Sequence, residues 1–109
     1  MSDPTSTKPG TLVLDDGDYS VELHPGFPEA DAPALLRRQC YYGVTTPEGY
    51  EYIGRVDLTS EGLWRATLTQ RYDPRTDSDT FEVGNYKGRV FAIIAMWRTR
   101  ELAYCRHSE

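Results

Sequence analysis

Apolar and polar residues alternate through the middle of the chain, from Arg38 to Tyr72. A period of two marks β-strands, because successive side chains point to opposite faces. Two breaks divide the stretch, Pro47-Glu48-Gly49 and Ser60-Glu61-Gly62. Each ends in glycine, the pattern of a hairpin closed by a type I turn and a left-handed residue in a G1 bulge. The stretch therefore predicts a three-stranded antiparallel meander. Placing the turns fixes a register: Thr46 opposite Tyr50, Val44 opposite Tyr52, Tyr42 opposite Gly54, Cys40 opposite Val56. In the second hairpin, Leu58 faces Trp64, Val56 faces Ala66 and Gly54 faces Leu68. One face then carries Cys40, Tyr42, Val44, Tyr52, Val56, Leu58, Trp64, Ala66 and Leu68, and is the predicted core face. The other carries Tyr41, Glu51, Ile53, Arg55, Asp57, Arg65, Thr67, Thr69 and Arg71, with Asp57 opposite Arg65, Glu51 opposite Arg71 and Tyr41 opposite Arg55.

The flanks are read in the same way. Residues 1–10 are polar and rich in Pro and Thr, which predicts a disordered tail ahead of one α+β domain over 11–109. Thr11 to Leu23 predicts a hairpin around Asp15-Asp16-Gly17-Asp18, with Asp-Gly suited to a type I′ turn. Pro25, Gly26, Pro28 and Pro33 punctuate the stretch from His24 to Ala34. Asp31 is placed to cap a short helical turn over Pro33–Arg37, the preferred reading, while Leu35 and Leu36 could equally lead directly into the first meander strand. Asp73 to Asp79 is a polar loop, Thr80 to Val83 a brief strand, and Asn85 an N-cap. Tyr86 to Tyr104 then predicts one long helix, with Tyr86, Val90, Ile93, Ile94, Trp97 and Tyr104 as its apolar stripe. Gly88, Ala92, Ala95, Thr99 and Ala103 form a row of small residues on its back, on which two copies could pair, although Ala on an outer face is more often simply a helix former, the preferred reading. The expected fold class is α+β: an N-terminal hairpin and a three-stranded meander in antiparallel sheet, packed on one long C-terminal helix.

Composition changes this picture only in part. The 109 residues suffice for one modest core, and eight tyrosines suit half-buried sheets and interfaces. No run of residues is long and apolar enough to predict a membrane span. Met1-Ser2-Asp3-Pro4 lacks the pattern of a signal peptide, and the two cysteines, Cys40 and Cys105, lack metal-ligand spacing, so a cytoplasmic protein is expected. Cys40 reads as a core residue and Cys105 as a free thiol. The net charge of −5 is uneven: residues 1–34 hold one Lys against seven acids, while residues 85–109 hold five basic residues against two acidic ones. An acidic total opposes nonspecific binding to nucleic acid.

Candidate chemistry is sparse. The three aspartates at the first hairpin do not complete a calcium loop. His24 and His107 lie in no metal-ligand spacing, and neither a phosphate-binding glycine loop nor a nucleophile elbow is present. The expectation is no enzyme, no cofactor and no metal.

Tyr42-Gly43-Val44, Trp64-Arg65-Ala66, and Phe81 leading to Ala92 on a helix give residues 40–100 a resemblance to three-strand-plus-helix DNA-binding domains of the AP2 and phage-integrase arm-binding type. That resemblance implies a sheet face entering a DNA groove, with Arg55, Arg65, Thr67, Thr69 and Arg71 reading it and Tyr41 beside them. This chain departs from the pattern in its acidic total and in Glu51 and Asp57. Its richness in Arg over Lys and its glycine turns also resemble small phage and mobile-element proteins of high-GC bacteria. The leading expectation is a non-catalytic protein-binding module, such as a phage or mobile-element accessory protein engaging a host protein. Its surface would be acidic and tyrosine-rich: Asp15, Asp16, Asp18, Tyr41, Asp73, Asp77 and Asp79. A host protein or a second copy is the expected partner, as monomer or homodimer, with nucleic acid the alternative and no membrane.

Overall fold

Six strands form one antiparallel sheet in which every strand neighbours the next in sequence: β1 (Leu12–Asp15), β2 (Tyr19–Leu23), β3 (Ala34–Gln39), β4 (Tyr50–Leu58), β5 (Trp64–Asp73) and β6 (Ser78–Tyr86). One helix, α1 (Arg89–Arg98), packs on a single face of the sheet. The computed structural model describes residues 11–39 and 50–105. The fold is α+β, and the N-terminal hairpin joins the meander through β2 and β3.

The β4–β5 hairpin forms as the sequence predicts. Leu58 pairs with Trp64, Asp57 with Arg65, Val56 with Ala66 and Gly54 with Leu68. Gly62 has φ +82°, and the Thr59 amide donates to the Leu63 carbonyl at 2.7 Å. The Thr59 hydroxyl accepts the Glu61 and Leu63 amides, each at 3.2 Å, which stiffens the turn. At the first hairpin only Gly17 has positive φ, at +95°, so the turn is not type I′, which needs two such residues.

The first meander strand lies earlier than predicted. Val56 pairs with Ala34 rather than Cys40, Gly54 with Leu36 rather than Tyr42, Tyr52 with Arg37 and Tyr50 with Gln39. Residues 33–37 are therefore extended, not helical; the short 3-10 turn sits at Glu29–Asp31. Ala34 and Leu36 are buried with Val21 and Leu23 across β2, and joining these apolar pairs sets the register. The predicted turn at 47–49, with Cys40, Tyr41, Tyr42 and Val44, lies outside the described residues.

A bulge redistributes the faces. Leu36 opposes Gly54 while Arg37 opposes Tyr52, which leaves Ile53 as an extra residue on β4. Alternation changes phase there. Ile53 and Glu51 turn inward and are buried, while Tyr52 turns outward. Glu51 pairs with Arg38 on β3, not with Arg71, because the β4–β5 ladder ends at Gly54–Leu68. Leu58, at the strand end, is exposed.

The helix is shorter and rotated. Strand β6 runs on to Tyr86, which pairs with Trp64, so Gly88 and not Asn85 precedes the helix. At the other end the Thr99 hydroxyl donates to the Ala95 carbonyl at 2.9 Å, and the chain tightens into a 3-10 turn over Arg100–Leu102. Ala92, Ile93 and Met96 are the buried residues of α1. The row of small residues predicted for the back thus faces the sheet at Ala92, where Ala34 and Ala66 are also fully buried and let the layers approach closely. Val90, Phe91 and Ile94 of the predicted core stripe and its neighbourhood stand 63%, 64% and 40% exposed. Trp97 is half-buried against the core.

Candidate functional site

Arginines pin both ends of α1. Arg89 donates to the carbonyls of Glu29 (2.6 Å) and Ala32 (3.0 Å), and its guanidinium lies 5.4 Å from the Trp64 ring centroid. Arg100 lies 4.2 Å from the Trp97 ring and 5.2 Å from that of Tyr19, and pairs with Asp16 at 3.0 Å. Two of the five basic residues at the end of the chain, Arg89 and Arg100, therefore tie the helix to the rest of the fold.

The first acidic turn is committed to its own geometry. Asp15 accepts the Gly17 amide at 2.8 Å; Asp16 accepts the amides of Asp18 (3.0 Å) and Tyr19 (2.6 Å). Burial works to raise the Asp16 pKa, but these amides and Arg100 outweigh it and hold the carboxyl below its ordinary value. Asp73 is likewise held low by the Arg75 side chain and amide. Asp77, at φ 53°, accepts the Tyr72 hydroxyl, a bond that raises the phenol's pKa. Asp79 borders a recess with Gln70, Arg71 and Tyr104. The β1–β2 and β5–β6 turns share one end of the sheet, but β2 and β5 are three strand spacings apart, about 14 Å. Asp15, Asp16 and Asp18 are thus one cluster and Asp73, Asp77 and Asp79 another. Tyr41 lies outside the described residues.

The uncovered sheet face is a network of paired charges. Arg55 binds Asp57 at 2.6 Å, Arg65 faces Glu82 at 3.4 Å and Asn85 at 3.3 Å, and Arg37 faces Glu22 at 3.6 Å. The Tyr52 hydroxyl donates to Glu22 and meets that of Tyr50, each at 3.0 Å. Burial, then the bonds to Tyr50 and Glu22, keep the Tyr52 phenol protonated well above its usual range. A recess of about 400 Å³ lies here, bordered by His24, Leu35, Tyr52, Arg55 and Thr67. Of the residues predicted to read DNA, Arg55, Arg65 and Thr67 share this face, with the Thr67 hydroxyl donating to the Arg55 carbonyl at 3.4 Å. Thr69 is buried, its hydroxyl donating to the Tyr104 carbonyl at 2.6 Å. Arg71 lies 4.9 Å from the Tyr104 ring.

The outer face of α1 differs from all of these. Tyr86, Lys87, Phe91, Ile94, Ala95 and Arg98 line an open groove of about 460 Å³. The side chains of Lys87 and Arg98 have no hydrogen-bond or ion-pair partner among the described residues. Sequence reasoning missed this surface because it placed the apolar stripe on the sheet. The available signal was that α1 is apolar over more of its circumference than one sheet contact can cover. Among the described residues, no three His, Cys, Asp or Glu side chains converge as a metal site, and no helix is long and apolar enough to cross a membrane. No protein-family model, curated protein or solved structure matches this chain.

Proposed function

We propose that this chain is a non-catalytic protein-binding module that presents the outer face of α1 to another protein. The observation that carries this reading is the exposure of Val90, Phe91 and Ile94 on a helix whose inner face is already filled by the sheet. Contiguous apolar surface rimmed by charge suits an interface, and an aromatic at its centre suits an energetic anchor. Binding through the acidic turns has less support, because Asp15 and Asp16 already accept local amides and Asp16 holds Arg100. Binding of DNA through the open sheet face also has less support: Arg55 and Arg65 are matched by Asp57 and Glu82, and Glu22 adds further negative charge there.

The test is capture from cell extract with and without nuclease treatment, comparing the wild-type chain with a Phe91→Ser/Ile94→Ser variant. A stoichiometric protein held by the wild type and lost from the folded variant supports the reading. Equal capture by both removes α1 as the surface, and recovery of nucleic acid alone favours the sheet face.

A further inference from the structure

The partner's chemistry can be argued from the groove on α1. Lys87, Phe91, Ile94 and Arg98 are spaced by four, three and four residues. Phe91, Ile94 and Arg98 lie on α1, where that spacing keeps side chains along one seam into which a second helix can pack, and Lys87, two residues ahead of the helix, lines the same groove. The centre of the seam is apolar and each end carries a cation. Lys87 precedes the helix and Arg98 closes it; the helical span from Arg89 to Arg98 is about 14 Å along the axis, with Lys87 two residues before its start.

Most other described arginines are engaged within the fold. Arg37, Arg55, Arg65, Arg75 and Arg100 face carboxylates, and Arg89 holds two carbonyls. Lys87 and Arg98 are exposed and flank the apolar residues without an acidic neighbour among those that line the groove. A second copy of this chain is a poor occupant. Antiparallel packing of two such seams sets Lys87 of one copy against Arg98 of the other, and parallel packing sets each cation against itself. Like charges meet in both arrangements.

Resting on the protein-binding reading above, we infer that the groove of α1 receives an amphipathic helix of a different protein. Its apolar side chains lie on Phe91 and Ile94, and its acidic residues bracket them on either side, facing Lys87 and Arg98. The apolar contact supplies affinity, while the two end charges select the partner and set its register.

The test uses two designed 20-residue helical peptides with the same leucine seam. One carries Glu at the two bracketing positions and the other carries Gln. Titration is followed by 15N–1H NMR of the full chain at low salt and again at 0.5 M salt. The expected result is saturable binding of the Glu peptide with shifts centred on Phe91 and Ile94, about fivefold tighter than the Gln peptide at low salt. The difference should collapse at high salt. A Lys87→Glu/Arg98→Glu variant should reverse the preference toward a Lys-bearing peptide. Equal binding of the Glu and Gln peptides, or a variant with unchanged preference, overturns the acidic-partner assignment and leaves the protein-binding reading standing. No saturable binding of either peptide also overturns it. So does concentration-dependent self-association abolished by Phe91→Ser, which makes the occupant a second copy. Failure of the protein-binding reading itself is read separately, from the capture experiment.

Discussion

Single residues decide how closely the helix and the sheet approach. Met96 is fully buried in the core, and truncation to Ala should cost about 2–5 kcal/mol in chemical denaturation, as expected for a large-to-small core change. Gly54 works in the opposite sense. A Cβ there would meet Leu68 Cδ2 at 2.8 Å and Leu36 Cβ at 3.1 Å, so Gly54→Ala should destabilise by about 1–3 kcal/mol through overpacking. Asp16 links stability to pH. Its folded pKa lies below its ordinary value of 3.8, so its contribution is complete above that value and is lost as pH falls through the folded pKa. Denaturation curves between pH 6 and 2 should show stability declining at the acid end, with a shallower decline in Asp16→Asn. The alternation of Val56, Ala66 and Leu68, and the left-handed Gly62, were legible from sequence because they depend on strand period and on one backbone conformation. The inward turn of Ile53 and Glu51 was not, because a bulge exists only relative to a second strand.

At the level of elements, α1 has two apolar faces and the sheet takes one. The sheet selects the face bearing Ala92 and Met96, since small residues on both sides shorten the distance between layers. Two substitutions separate the faces. Ala92→Leu should destabilise by about 1–3 kcal/mol, whereas Phe91→Ser should change stability by no more than about 0.5 kcal/mol. Thermal melts of the two variants would compare them directly, and an equal loss would mean that Phe91 contributes to the core. The helix boundaries were misread for a related reason. Asn85 and Tyr86 can start a helix by local preference, but pairing with Arg65 and Trp64 keeps them in β6.

At the scale of the molecule, the segment after α1 returns to the sheet where β4 and β5 part. The Tyr104 amide donates to the Thr69 carbonyl at 3.0 Å, and buried Cys105 donates to Glu51 Oε1 at 3.3 Å. This closes the core beyond the last β4–β5 pair. In a Cys40→Ser background, Cys105 should react slowly with a thiol reagent. Thr69→Val, which removes the hydroxyl bond to the Tyr104 carbonyl, should accelerate that reaction severalfold without a matching loss of global stability. An unchanged rate would show that the segment is held by other contacts.

The sequence by itself determined the α+β class, the antiparallel hairpins around Gly17 and Gly62 and the β4–β5 register from Gly54 to Leu58. Each follows from periods and turn residues written within a few positions of one another. The tertiary structure alone decided that β3 begins at Ala34, that β4 bulges at Ile53, and which side of α1 is buried. Those outcomes depend on which of several locally acceptable apolar surfaces fit together, and shape complementarity between distant segments is not carried by either segment's own pattern. The exposed groove of α1 is the remainder of that choice. It became visible only once the sheet had taken the other face.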